Sequence, residues 1–460
     1  MTLFDASDPR PVHFVGIAGA GMSALAELLA RRGISVTGCD TSPGTNDALD
    51  ALGIAVAPRH DPAHVAGAQS VVATSAMPRD HAELARAREL GIPVIRRAEA
   101  LAGAVELGKT ICIAGTHGKT TTTVMTTEAL AAAGLNPTGI VGGRVAAWGG
   151  NLSAGGDELF VVEADEYDRS FLALSPTVAT ITNVEADHLD IYKDLDDIRN
   201  AFAQFASRAR AVVLCADDAG AASIALTASA EIVRYGIASP DARVVARDLR
   251  SEGGGSVFTA ALDGSDDTEI RLRVPGRHNV LNALAALSSG HALGVPFAKM
   301  APGLAAFGGV ERRFQRLGEA RGVSVIDDYA HHPTEIRATL AAARAAYPGR
   351  RLIAAFQPHL YSRTRDFAGD FGDALANADN IYLTEIYGAR EKPIGSVSAA
   401  LIEKAARDAG RAVTWRGDRG ALASALAAGT EPGDVVITLG AGDITRTGPE
   451  LLALLMASRR

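Results

Sequence analysis

The sequence predicts an α/β protein of three domains. Short β-branched runs alternate with alanine-rich helical stretches along the whole chain, the pattern of parallel sheets covered by helices on both faces. The strand and helix series restarts at Thr110 and again at Val323. With 47% of its 460 residues hydrophobic and only 5% aromatic, the chain can fill several aliphatic cores at about 150 residues per domain.

Taken in order, PVHFVGI reads as a buried strand, MSALAELLARR as a helix stopped by Gly33, and ISVTGCD as the next strand. Residues 12–40 thus form one βαβ unit, continued by VVATSA and IPVI. TICIAG opens the second series and runs through a glycine-lysine loop into the helix TTTVMTTEALAAAG. LFVVEAD, VATITN and AVVLCA follow as strands; residues 240–275 lose helical period and read as a β meander, and HNVLNALAALSSGHAL closes the series near Gly294. VSVIDD, RLIAAF, IYLTEI and DVVITLG are the strands of the third. The expected division is a Rossmann-like N-terminal domain at 1–105, a P-loop-type ATPase domain at 106–311 and a Rossmann-like C-terminal domain at 312–460, around a shared cleft.

Lys and Arg number 45 against 53 Asp and Glu, a net charge of -8, so no basic field exists to hold a nucleic acid. Cys39, Cys112 and Cys215 lie far apart in apolar runs with no C-x-x-C pair, and read as core thiols of a reducing compartment. MTLFDASDPR lacks the apolar core of a signal peptide, and no apolar run approaches a membrane span. A cytoplasmic protein without membrane partners is expected.

Two glycine loops follow strands. Gly16, Gly19 and Gly21 lead into a helix, with Asp40 closing the next strand, a passable dinucleotide fingerprint that a plain tight turn would also explain. GTHGKTT, Gly115 to Thr121, has the order phosphate chemistry needs: amides to cradle oxygens, Lys119 for the β and γ phosphates, and the Thr120 hydroxyl for Mg²⁺. Ile113 stands where the usual P-loop has its first glycine, and Lys119 is expected on a surface loop.

VVEADEYD places Glu163, Asp165, Glu166 and Asp168 at one strand end, and TNVEADHLD places Glu185, Asp187, His188 and Asp190 at another. In a parallel sheet both ends face one crevice, where hard oxygens suit Mg²⁺. Glu163 is the first choice of ligand, with His188 for a second cation or a water, although an acidic solvated loop is the plainer alternative. In the third series, Asp328, His331 and His332 of DDYAHHP and Arg363 and Arg365 of FQPHLYSRTRD gather at neighbouring strand ends, a set suited to a carboxylate and a phosphate. Gly440 to Asp443 reads as a turn.

HFVGIAGAGMSALAELL, AGTHGKTTTT, VVEADEYDRSF, TNVEADHLDIY, PGRHNVLNALAAL, ERRFQRLG, DDYAHHPTEI and QPHLYSRTRDF, in this order, resemble the motifs of the Mur ligase family, most of all its alanine-adding members. The resemblance implies an ATP-dependent amide ligase that joins L-alanine to the carboxylate of UDP-N-acetylmuramate through an acyl phosphate, as a monomer or weak homodimer. It implies that Gly115, Thr116, His117, Gly118, Lys119, Thr120, Thr121, Asn282, Arg313 and Asp328 bind ATP, and that Thr120, Glu163 and His188 hold metal. Lys119, Glu163 and His188 would be catalytic. Gly16, Gly19, Gly21, Met22, Asp40 and Ser75 would bind the UDP-sugar, and His331 and Arg363 the amino acid. Three departures stand out: Ala18 replaces a third glycine, Leu360 follows QPH where many members have arginine, and AFAQFASRARA offers no lysine for carbamylation. Members that add a preformed murein tripeptide are the nearest alternative; a nicotinamide oxidoreductase or a nonenzymatic nucleotide switch would leave the metal cluster or the third domain unexplained.

Overall fold

Five parallel strands form the first sheet: β1 (Val12–Val15), β2 (Val36–Cys39), β3 (Ala55–Ala57), β4 (Ser70–Ala73) and β5 (Val94–Arg96), in the order β3-β2-β1-β4-β5. All four residues of β1 and of β4 are buried, as expected where helices cover both faces. The helix Ala20–Arg31 connects β1 to β2 and ends where Gly33 takes φ +80°, a conformation glycine adopts without steric cost. The computed structural model describes residues 3–42, 47–74, 77–226, 230–389 and 391–457.

The second sheet has ten strands. They are β6 (Lys109–Ala114), β7 (Thr138–Val145), β8 (Gly150–Ser153), β9 (Leu159–Glu163), β10 (Val178–Ile181), β11 (Ala211–Cys215), β12 (Glu231–Gly236), β13 (Val244–Glu252), β14 (Gly255–Leu262) and β15 (Ser265–Leu272). Their order is β15-β14-β13-β12-β11-β10-β6-β9-β7-β8. β6 lies between β10 and β9, parallel to both, so three C-terminal strand ends open side by side. At the end of the helix Ala20–Arg31, Arg32 donates to the Asp157 carboxylate and to the Ala104 carbonyl, joining the layers of the first two sheets.

The third sheet combines β16 (Gln315–Ala320), β17 (Val323–Asp328), β18 (Leu352–Phe356), β19 (Asn380–Thr384), β20 (Trp415–Gly417) and β21 (Val435–Leu439) in the order β16-β17-β21-β18-β19-β20. Only β16 runs antiparallel to its neighbour. Its residues, QRLGEA, lack the alternation that marks a strand, and it forms because a tight turn folds it back along β17.

The chain divides into two compact units. One comprises Met1–Leu249, Phe258–Arg271 and Leu281–Gly308; the other comprises Arg250–Val257, Leu272–Val280 and Gly309–Arg460. All three cysteines are buried free thiols, and no described helix is long and apolar enough to cross a membrane.

Candidate active site

β6 ends at Ala114 and the chain passes through Gly115–Gly118 into the helix Lys119–Ala132. Two glycines are required. Gly115 has φ +139° and a Cβ there would come 2.0 Å from the Thr182 hydroxyl, while Gly118 has φ +82° and a Cβ would come 2.6 Å from Asn282 Oδ1. The loop is fastened from the end of β10. The Thr116 amide donates to the Asn183 carbonyl at 3.1 Å and the His117 amide to Asn183 Oδ1 at 2.7 Å. Thr182 donates to the His117 carbonyl at 2.6 Å, and the Glu185 amide donates to the Thr116 hydroxyl at 2.9 Å. His117 Nε2 stands 3.3 Å from Glu185. Asn282, on the helix Arg277–His291, accepts from the Thr122 hydroxyl at 3.1 Å. Thr182 and Asn183 open the TNVEADHLD stretch, but only their place at the end of the strand beside β6 reveals that they fasten the loop.

Lys119 is the first residue of the helix and is largely buried, which corrects the expectation of a surface loop. Its ammonium donates to the Gly115 and Thr116 carbonyls at 2.7 and 3.3 Å and to Glu166 Oε1 at 3.0 Å, with Oε2 at 2.7 Å. Burial disfavours charge on Lys119, but Glu166, Asp165 and Glu163 hold its pKa above the ordinary lysine value. Burial also works against Glu166, and Lys119 and His188 keep its carboxyl below the usual range. His188, at φ +53°, points Nε2 at Glu166 from 3.5 Å; despite burial, Glu166 and Asp187 raise its pKa. Glu166 is therefore the carboxylate that the cations share.

Glu163 closes β9. Its Oε1 accepts from the Thr120 hydroxyl at 3.0 Å and its Oε2 from the Gly142 amide at 2.7 Å. Burial raises its pKa, opposed by the Gly142 amide and by Lys119. Thr120 and Glu163 thus place hard oxygen donors side by side within reach of the phosphate loop, a donor set that fits Mg²⁺. His188 faces Glu166 rather than this pair. Thr121, one residue on, is buried in the first helical turn.

In the first glycine loop, Gly16 has φ +81°, and its amide and that of Ile17 donate to the Cys39 carbonyl at 2.8 and 3.2 Å. Asp40 shapes this loop from below, accepting from the Ala18 amide at 3.1 Å and the Ser42 amide at 2.9 Å. Gly19 caps the following helix, and a Cβ at Gly21 would stand 2.8 Å from the guanidinium of Arg97, a cation that sequence reasoning passed over. Met22 is buried beneath the loop, and Ser75 lies outside the described residues.

In the second unit, Asp328 ends β17 buried, accepting from the Phe314 and Ala330 amides at 2.8 Å each. Burial pushes its pKa up to about 6, against the pull of Arg313. Arg313 stands 3.5 Å from Glu335 and over the Tyr329 ring. His331 Nδ1 lies 3.0 Å from the Tyr329 carbonyl, and its ring is 6.0 Å from that of His359. Arg363, buried, donates to His359 Nδ1 at 3.5 Å. Leu360 takes φ +73° where the helix Tyr361–Leu375 begins, and Arg363 is buried in the first turn of that helix. Of the other members of the expected cluster, His332 caps the helix Pro333–Ala346 with its ring 5.2 Å from that of Phe367, and Arg365 is exposed and paired with Asp366.

A strand, a glycine loop and a lysine-led helix beside paired Thr and Glu oxygens, in a chain with three α/β sheets, define a P-loop-type nucleotide-binding protein. Residues 11–108 match the Mur ligase family catalytic domain, 113–290 the Mur ligase middle domain and 312–442 the Mur ligase glutamate ligase domain. The chain belongs to the Mur ligase family. It is 46% identical over 451 residues to the UDP-N-acetylmuramate–L-alanine ligase of Acidothermus cellulolyticus, covering 96% of this chain and 94% of that one. With the enzyme of the same name from Streptomyces coelicolor it shares 47% over 450 residues, 96% and 97% of the two chains. The crystal structure of the UDP-N-acetylmuramate-alanine ligase of Thermotoga maritima superposes with a TM-score of 0.82 at 28% identity, over 98% of this chain and 100% of that one. The murein peptide ligase of Psychrobacter arcticus, at 24% identity and a TM-score of 0.71 over 97% and 99% of the chains, shares the fold.

Proposed function

We propose that this chain joins L-alanine to the carboxylate of UDP-N-acetylmuramate with hydrolysis of ATP to ADP and phosphate, in peptidoglycan precursor synthesis in the cytoplasm. The near-half identity over nearly the whole length of relatives named for that reaction carries the reading. The first domain, 1–105, would take the sugar nucleotide on Gly16, Gly19 and Gly21. The central domain, 106–311, would take ATP on the Gly115–Thr121 loop, and the third, 312–460, the amino acid near His331 and Arg363.

The chemistry follows from the charges. A carboxylate oxygen of the muramoyl group attacks the γ-phosphorus, ADP leaves, and an acyl phosphate forms; the alanine nitrogen then attacks its carbonyl carbon, loses a proton, and inorganic phosphate departs. Lys119 supplies positive charge to the phosphate oxygens in the first step, exchanging its contact with Glu166 for one with ATP. Thr120 and Glu163 would hold Mg²⁺, which when bound neutralises charge developing between the β and γ phosphates.

ADP release tests the function. It is expected to need both UDP-N-acetylmuramate and L-alanine for sustained turnover; release with a preformed peptide but not with alanine would move the chain to the tripeptide-adding branch. The order of steps has its own test, because acyl phosphate formation does not need the amine. ATP labelled with ¹⁸O in the β,γ bridge is expected to scramble label into the nonbridging β positions with the sugar nucleotide alone. Equal scrambling without the sugar would make the protein the acceptor and overturn the mechanism. At the amine site, Arg363→Ala is expected to raise the KM for alanine by about tenfold or more, the loss of one charge-assisted contact, and to leave the KM for ATP near its starting value. Equal effects on all three substrates would assign Arg363 to structure.

A further inference from the structure

The first domain gathers five potential metal donors around one buried carboxylate. Glu83, fully buried, comes from the helix Ala82–Glu89. Its oxygens stand 3.2 Å from Cys39 Sγ at the end of β2, 3.1 Å from His64 Nδ1, 3.1 Å from His60 Nδ1 and 3.9 Å from His13 Nε2 on β1. His81 Nδ1 lies 3.8 Å away. Donor atoms of His13, Cys39, His64 and Glu83 all fall within 4.8 Å of one another. His13 is 2% exposed, and its Nε2 faces Glu83 with no hydrogen-bond partner; His81 Nδ1 is likewise buried without one.

We propose that this cluster is a transition-metal site, best matched to Zn²⁺, with Cys39, His13, His64 and Glu83 as ligands and His60 and His81 as alternative donors. Three observations carry it. An unpartnered buried imidazole nitrogen costs free energy that a metal bond would remove. Bonds of about 2.1 Å in a tetrahedron separate ligand atoms by about 3.4 Å, and the 3.1 to 3.9 Å contacts with Glu83 bracket that edge. One thiolate and one carboxylate also balance the charge of Zn²⁺, and thiolate with imidazole favours it over the oxygen-seeking Mg²⁺. The Cys39 carbonyl accepts the Gly16 and Ile17 amides, so metal on this residue would also stiffen the floor of the first glycine loop.

The test uses the full chain without a histidine tag, stripped with a chelator and titrated with Co²⁺, whose thiolate charge-transfer band reports a bound cysteine. One Co²⁺ per chain with that band, displaced by Zn²⁺, is expected, together with a Zn²⁺-dependent rise in thermal midpoint. Cys39→Ser is expected to abolish the band. Because replacing the fully buried Glu83 endangers folding, His64→Ala at a partly exposed position is the second variant. It should weaken Zn²⁺ binding at least about tenfold with an unchanged circular dichroism spectrum. A folded chain that shows no thiolate band overturns the site and leaves a hydrogen-bonded network; a band that survives in Cys39→Ser places the metal on Cys112 or Cys215 and overturns it equally.

Discussion

Lys119→Ala is expected to lower turnover by about 10²-fold or more at saturating ATP, the scale of removing one group that stabilises charge in the transition state. The ammonium stands among the carbonyls of the phosphate loop, and no other lysine or arginine occurs between Gly115 and Glu128 to replace it. The same change unpairs Glu166, whose side chain is 3% exposed. Breaking a buried ion pair costs about 3–5 kcal/mol, lessened here because His188 remains beside Glu166. Lost activity could then reflect lost folding. The double variant Lys119→Ala with Glu166→Gln removes the stranded charge and should regain much of the thermal midpoint while staying inactive. Recovery of turnover together with stability would show that Lys119 serves the fold and not the phosphates.

Glu163→Gln is expected to lower turnover by a similar factor, about 10²-fold, and to shift the magnesium titration to higher concentration. The substitution nearly preserves volume and keeps an oxygen able to accept from Thr120 or Gly142, so the fold should survive. What it removes is the anionic charge. Because burial raises the Glu163 pKa, activity limited by its ionisation should fall as pH drops through that raised value, and the glutamine variant should lose this acid limb. A magnesium titration that overlays the parent's would hand the metal to another carboxylate, and Asp165, two residues along, would be examined next.

Much of the site was legible before any coordinates because its chemistry is written in contiguous stretches. A strand, glycines, a lysine and hydroxyls in immediate succession specify a phosphate loop, since backbone conformation and helix start are local properties. Glu163 was readable for the same reason, as the last residue of an apolar run. The roles of its neighbours were less so. Glu166 stood in the sequence as one of several acids in a row, and nothing local distinguishes it from Asp165 or Asp168. Its depth beneath the loop, and hence its pairing with Lys119, follows from the turn after β9. His332 and Arg365 were grouped with the carboxylate- and phosphate-binding cluster by proximity in sequence, but one caps a helix and the other is exposed and paired with Asp366.

The sequence by itself determined the α/β class, the succession of strands and helices, the phosphate loop and the family motifs, because each depends on residues adjacent along the chain. Only the tertiary structure decided which distant residues meet. Asn183 reaches the phosphate loop because β10 pairs with β6, and Asn282 reaches Gly118 through a helix more than 160 residues further on. The cluster of His13, Cys39, His60, His64, His81 and Glu83 was invisible to spacing, and its one cysteine read as simple packing. Its members come from separate strands, turns and one helix, and strand order, which no local pattern encodes, brings their donor atoms to within 4 Å of a single carboxylate.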